Sequence, residues 1–266
     1  MSFWESLDPN YSVILCDIWG VVHDGVHLYP NAAERLCQWR EQGRKVILIT
    51  NAPRTAEAVE AQIGRIGLPR DCWDGIATSG EAGIDAIKTL AHPTGFLGTP
   101  QDRAILAEHG LRFVDEGFTD IAVTGLDGTR TRVEDYRPQL EALAGRDVLF
   151  HCFNPDRVVV RGGVSEPCAG ALADIYESLG GRVEWYGKPF HAIYDFAMSL
   201  AGNPPHEAVL AVGDALVTDM VGAATQGFAG VFVQGGIHAG EPFPAGFGSQ
   251  YGLGDWAPVA VVDSLR

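Results

Sequence analysis

The chain has 266 residues, 46% of them hydrophobic and 20% charged, which is enough for a real core in one large or two smaller domains. A formal net charge of −15 argues against broad electrostatic binding to nucleic acid or to an anionic membrane. No apolar run approaches the ~18 residues of a membrane span, and the opening MSFWESLDPNYS lacks the basic and apolar regions of a signal peptide, so a cytoplasmic location is expected.

Val13–Cys16 predicts a short buried strand. Asn31 and Glu34 resemble a capping box after Pro30, and the helix they open runs to about Gln42, with Gly43 as its stop. Lys45–Thr50, KVILIT, is a continuous apolar run of the kind covered on both faces in a parallel sheet. A helix over Thr55–Ile66 ends at Gly67, which completes a βαβ pattern. From about Thr78 the alternation is less regular. Strands are predicted at Phe96–Gly98, Ile121–Thr124, Val148–Cys152 and Val158–Arg161, and helices at Glu81–Leu90, Gln101–His109, Val133–Leu143 and Ala169–Leu179. Val183–Tyr186, a helix at Phe190–Leu200, the strand Ala208–Val212, a helix at Thr218–Thr225 and strands at Gly230–Val233 and Val259–Val262 follow. Gly235–Gly254 is rich in Gly and Pro and reads as a loop. The five cysteines are odd in number and form no C-x-x-C pair, so reduced, mostly buried thiols are expected rather than a disulfide framework or a zinc site. The pattern predicts an α/β fold: a Rossmann-like core with a parallel sheet from residues 1–77 and 182–266, and an α/β unit inserted at 78–181.

Four groups stand at strand ends: Asp17, Thr50-Asn51, Lys188, and GDALVTD at Gly213–Asp219. Open α/β sheets collect ligands at the carboxyl ends of their strands. Acidic residues, a lysine and a hydroxyl gathered there suggest metal-assisted phosphoryl chemistry. Taken singly, each has a plainer reading. Asp17 suits a turn, Lys188 a solvated surface, Thr50 a strand end, and Asp214 and Asp219 an N-cap and a first-turn acid.

The motifs and their order resemble the haloacid dehalogenase-like hydrolase superfamily, in its NagD-like subclass with a large α/β cap between the second and third motifs. ILITNAPR, YGKPF and GDALVTDM carry the core resemblance, and TSGEA and FNPDRVVV carry that of the cap. The resemblance implies that Asp17 attacks phosphorus and forms an aspartyl-phosphate. It implies Mg²⁺ held by Asp17, the Trp19 carbonyl and Asp214, with Asp219 close by. Lys188 would neutralise charge, while Thr50 and the Asn51 N–H would bond phosphate oxygens. The cap would cover the site, exclude water and choose a small phosphorylated metabolite such as a sugar phosphate or nucleotide. A homodimer through the cap is a further expectation of the same kind. His23 and Asp24 read either as a hairpin tip or as substrate or proton-donor contacts, and Asn154 and Asp156 as substrate contacts or an Asx turn.

One position departs from the family pattern. Trp19 stands where these phosphatases carry a second Asp that protonates the leaving oxygen and then activates water. Indole cannot exchange a proton usefully near neutral pH, and losing a general acid–base is worth roughly 10²–10⁴ in rate. Three explanations compete: another group supplies the proton, the leaving group needs little help, or hydrolysis is lost and the protein binds a phosphorylated ligand or a partner. Dehalogenation ranks third among the activities. Halide leaves without a proton, and dehalogenases of the superfamily carry an aromatic residue here, but the acidic motif at Asp214 and Asp219 is of the metal type.

Overall fold

The computed structural model describes residues 3–161, 164–235 and 242–266. In chain order it forms β1 (Val13–Asp17), α1 (Ala32–Glu41), β2 (Lys45–Thr50), α2 (Ala56–Ile66), β3 (Gly75–Thr78), α3 (Ser79–Lys88), β4 (Gly95–Leu97) and α4 (Pro100–Glu108). Then come β5 (Asp120–Val123), α5 (Arg137–Ala144), β6 (Leu149–Cys152), β7 (Val158–Arg161), β8 (Val164–Pro167), α6 (Ala169–Ser178) and β9 (Arg182–Trp185). The chain closes with α7 (His191–Ala201), β10 (Val209–Gly213), α8 (Val221–Gln226), β11 (Ala229–Val233), α9 (Phe247–Gln250) and β12 (Ala260–Val262). Among the described residues, no helix is long and apolar enough to cross a membrane.

Two units share the chain. The first holds Met1–Thr50, Ala56–Ala77 and Lys188–Arg266, and the second holds Asn51–Thr55 and Thr78–Gly187. In the first unit, the strands follow the order β12-β11-β10-β1-β2-β3. β1 pairs in parallel with β2 on one side and β10 on the other, with Cys16 opposite Leu48 and Val212. Every residue of β1 and β10 is buried, as central strands covered on both faces must be. Val13, Leu15, Ile47, Ile49, Val209 and Ala211 pack against Ile193, Tyr194 and Ala197 of α7. That apolar face is what holds α7 on the sheet.

The second unit has its own parallel sheet, in the order β4-β5-β6-β9, and the antiparallel hairpin β7–β8. Val123, Phe150, Leu140, Leu172 and Tyr176 lie at its core. Thr78 caps α3 by accepting from the Glu81 N–H at 2.9 Å. A polar group is buried in this unit as well. Asp120 meets His92 Nε2 at 2.8 Å, His151 Nε2 at 2.9 Å and the Thr119 hydroxyl at 2.7 Å, and His151 Nδ1 lies 2.6 Å from the Tyr186 hydroxyl. Asp120 and His151 are buried while His92 and Thr119 reach the surface, and the buried members are tolerated because each has hydrogen-bond partners.

Several expectations are corrected. The boundary at 181/182 moves, because Arg182–Trp185 pairs with β6 and belongs to the second unit. Asn31 does sit at the start of α1, but at φ 66° and with no side-chain cap bond. Cys37 and Cys72 form a disulfide, with Cα atoms 4.2 Å apart, where α1 meets the short 3-10 turn Arg70–Cys72. Arg40 of α1 also bonds Asp74 beside that turn. The strands β3 and β8 were not anticipated. In the Gly-rich segment, Phe247–Gln250 is helical because Phe247 is buried against Met220 and Phe232; residues 236–241 of that segment lie outside the described residues.

Candidate active site

The apolar run of β1 ends in a buried carboxylate. Asp17 is paired in register with Ile49 of β2, so Thr50 stands one step beyond it on the neighbouring strand. On the other side, β10 runs parallel to β1 and delivers Gly213 and Asp214. The chain then enters a π-helical turn, Leu216–Met220, which carries Asp219 back toward β10. Asp219 Oδ2 accepts from the Ala215 N–H at 3.1 Å, and this bond fixes the carboxylate. A Cβ at Gly213 would lie 2.2 Å from Asp219 Cγ, so the close approach requires glycine there.

Lys188 enters from the start of the last chain segment. Its Nζ donates to Asp17 Oδ1 at 2.6 Å and to Asp219 Oδ1 at 2.7 Å, and all three side chains are nearly fully buried. Burial works against the lysine charge, but the Asp17 and Asp219 carboxylates outweigh it and hold the ammonium well above its ordinary range. Burial also raises the Asp17 carboxyl above the usual range, with Lys188 pulling the other way. Donor atoms of Asp17, Asp214 and Asp219 all lie within 4.8 Å of one another. Three carboxylates against one ammonium leave excess negative charge in a buried place. An all-oxygen donor set of this kind fits a hard divalent cation.

The loop after β1 is tightly folded. The Ile18 carbonyl accepts from the N–H groups of Val22 and His23, and the Gly20 N–H donates to the His23 carbonyl at 2.9 Å. Gly20 has φ +89°, and a Cβ there would lie 2.0 Å from Asp214 Oδ2. His23 is buried and its Nδ1 accepts from the Gly25 N–H at 2.9 Å, while its backbone bridges Trp19 and Leu28. Asp24 Oδ1 accepts from the N–H groups of Val26 and His27, which hold its carboxyl below the usual range. Those contacts fit a turn for both residues, and the bond to His23 Nδ1 leaves Nε2 as the ring nitrogen that carries the proton. Trp19 is the contrast: its side chain is 38% exposed.

Asn51, Asn154 and Asp156 come together in the second unit. Asn51 Nδ2 donates to Asp156 Oδ1 at 2.8 Å, and Asn154 Oδ1 accepts from the Asp156 N–H at 3.1 Å, an Asx turn. The sequence marks Gly20 and Gly213 beside the strand-end acids but not the close approach to Asp214 and Asp219 that requires a glycine at each. Sequence reasoning also passed over Tyr194, whose phenol is raised by burial and then by the Asp219 charge. Nothing marks Tyr194 in the apolar face of α7.

Residues 14–112 match the family model of the haloacid dehalogenase-like hydrolases, and residues 185–266 match a second, HAD-hydrolase-like model. A crystal structure of a hydrolase of the haloacid dehalogenase-like family from Brucella suis 1330 is 33% identical, with a TM-score of 0.83 over 98% of each chain. The ribonucleotide monophosphatase NagD of Escherichia coli K12 is 28% identical over 234 residues, 84% of this chain and 88% of NagD. The fold is shared with a 4-nitrophenylphosphatase from Thermotoga maritima at 22% identity, with a TM-score of 0.74 over 97% of this chain and 95% of that one.

Proposed function

The chain belongs to the haloacid dehalogenase-like hydrolases, and from that premise we propose that it is a Mg²⁺-dependent phosphatase of a small phosphorylated metabolite. A sugar phosphate or a nucleotide is the substrate class suggested by the relatives. The single observation that carries the reading is the double contact of Lys188 with Asp17 and Asp219, beside Asp214, at the ends of β1 and β10. The set of three carboxylates fits Mg²⁺; Asp17, Asp214 and the Trp19 carbonyl would hold it, with Asp219 close by. Such an ion would relieve the repulsion between a carboxylate nucleophile and a phosphate dianion.

Asp17 attacks phosphorus and forms an aspartyl-phosphate. Lys188 favours the ionised form of Asp17 against the burial that raises its carboxyl, and would offset charge as the phosphoryl group arrives. The Thr50 hydroxyl and the Asn51 N–H donate to phosphate oxygens. Water then attacks phosphorus, the bond to Asp17 breaks and the carboxylate is regenerated. The protein works in the cytoplasm, as a monomer or a homodimer.

The test is phosphate release from an activated aryl phosphate, sugar phosphates and nucleotides, with and without Mg²⁺. Mg²⁺-dependent release that Asp17→Asn abolishes supports the reading. No release from any ester, from folded protein, would count against it. One observation favours a second reading, a non-catalytic phosphate-ligand binder: Trp19 replaces the residue that moves protons. Ligand-induced stabilisation without turnover would mark that alternative.

A further inference from the structure

Residues 154–156 form a firmly built turn that the proposed mechanism does not use. Asn154 Oδ1 accepts from the Asp156 N–H at 3.1 Å. The Asp156 carbonyl accepts from the Gly170 N–H at 3.2 Å, at the start of α6, and the Pro155 carbonyl accepts from Arg157 Nη1 at 2.8 Å. A Cβ on Gly170 would lie 2.3 Å from the Pro155 carbonyl oxygen and 2.6 Å from that of Asp156, so helix and turn are in direct backbone contact. Asn154 and Pro155 are buried. A turn fixed by its own side chain and by a neighbouring helix presents the Asp156 carboxylate at a set place.

That carboxylate is directed at Asn51. Asp156 Oδ1 accepts from Asn51 Nδ2 at 2.8 Å. The other end of the same amide meets Gly187: a Cβ there would stand 2.6 Å from Asn51 Oδ1 and 2.4 Å from Pro155 Cδ. The amide is thus bonded to an anion at one end and packed against backbone at the other. Hydrogen bonds to an ionised acceptor are roughly twice as strong as neutral ones. β2 ends at Thr50, so the sheet ladder no longer sets the backbone of Asn51, and an anchored side chain restrains it instead.

We propose that Asp156 is a positioning residue for phosphoryl transfer: through the Asn51 amide it orients the Asn51 N–H that donates to a phosphate oxygen. The carboxylate is occupied in this way rather than in holding the substrate. The inference rests on the phosphatase reading and deepens it, because a donor to the phosphoryl group serves every ester whatever its leaving group. Such a donor acts only when it is aimed at the place where charge develops, and a small misplacement forfeits most of its effect.

The test compares turnover with binding of orthovanadate, which takes up the five-coordinate geometry of a phosphoryl group in transfer and carries no leaving group. Phosphate release from an activated aryl phosphate, a sugar phosphate and a nucleotide is measured with Mg²⁺, and vanadate binding is measured by calorimetry. Asp156→Ala should lower kcat by the same factor for every ester turned over, about tenfold to a hundredfold, with KM little changed. Vanadate should weaken by a similar factor. Asp156→Asn, whose amide oxygen can still accept from Asn51 Nδ2, should recover most of the loss. Asn51→Asp sets two carboxylates against each other and should be as poor as Asp156→Ala; combining it with Asp156→Asn restores a hydrogen bond of reversed direction and should regain activity. An effect that differs from ester to ester, with vanadate binding unchanged, makes Asp156 a substrate contact and overturns the inference. A lower Tm with kcat and vanadate binding intact at temperatures well below it also overturns it, because support of the fold alone predicts that result. A different failure, in which the unaltered protein neither releases phosphate nor binds vanadate with Mg²⁺, removes the phosphatase reading itself, and the positioning role falls with it.

Discussion

Lys188 Nζ donates to Asp17 Oδ1 at 2.6 Å, an ion pair whose side chains are 4% and 9% exposed. The same nitrogen holds Asp219. Lys188→Met removes the ammonium that both carboxylates share and leaves two buried carboxylates without their counter-charge. Breaking a buried pair from one side costs about 3–5 kcal/mol. Urea unfolding should show a loss of that size, and added Mg²⁺ should restore part of it. Unchanged stability would mean that the lysine does not neutralise the pair.

Gly20 is the point where the loop after β1 touches Asp214. Gly20→Ala places a methyl group 2.0 Å from Asp214 Oδ2 and asks an L residue to hold φ +89°. The backbone cost is roughly 1–2 kcal/mol. Displacing the carboxylate should cost more in function than in fold. The rise in Tm that Mg²⁺ gives the unaltered protein should largely vanish, while far-UV circular dichroism stays the same.

The lack of a proton carrier at position 19 affects both halves of the reaction unequally. On the proposed mechanism, an activated aryl phosphate needs no acid in the first half, but water attack on the aspartyl-phosphate would lack the base that residue 19 cannot supply. Stopped-flow measurements should therefore show a burst of aryloxide of about one equivalent, followed by slow turnover. Asp17→Asn should abolish both phases. Trp19→Asp should remove the burst and raise steady-state turnover of alkyl esters, up to about 10²–10⁴-fold. If the variant folds and binds Mg²⁺ yet gains nothing, the site has no room for a carboxylate to work.

In the second unit, Asp120 is buried beside His92, His151 and Thr119. Burial raises its pKa, but the hydrogen bonds from His151, His92 and Thr119 prevail and hold it below the usual range. A carboxylate with a depressed folded-state pKa adds stability above its unfolded value of about 3.9, and that stability is lost as pH falls through the folded value. Asp120→Asn should therefore lower Tm near pH 6 and flatten the acid limb of a Tm–pH curve below about pH 4. A parallel acid limb in the variant would assign the titration elsewhere.

The strand-end residues were legible because each follows an apolar run that only a covered strand explains. VILCD and KVILIT declare Asp17 and Thr50 in this way, and VLAVG declares Asp214. What the sequence lacks is distance between segments. Cys37 and Cys72 are joined across 35 residues with no spacing motif to mark them. The bond from Asn51 to Asp156 likewise joins two motifs 105 residues apart, with nothing in either to name the other. Arg182–Trp185 reads as a strand but not as a strand of the second sheet, because its exposed and half-buried alternation fits an edge anywhere. The left-handed Asn31 has the composition of a cap without its geometry, because Asn also suits the left-handed region and the sequence does not say which of the two it will adopt.

β1 has β2 on one edge and β10 on the other, and β10 is translated only after the whole inserted unit. A nascent chain on the ribosome can pair β1 with β2 early, yet the other edge of that apolar strand stays open until the insert has emerged. Open edges of this kind recruit other chains. The insert thus acts as a clock on folding: its length sets how long the growing polypeptide is exposed to misassociation. Synthesis stopped before Val209 would leave a half-sheet with Asp17 at its rim and no opposing acids, a target for chaperones and proteases rather than a slower enzyme.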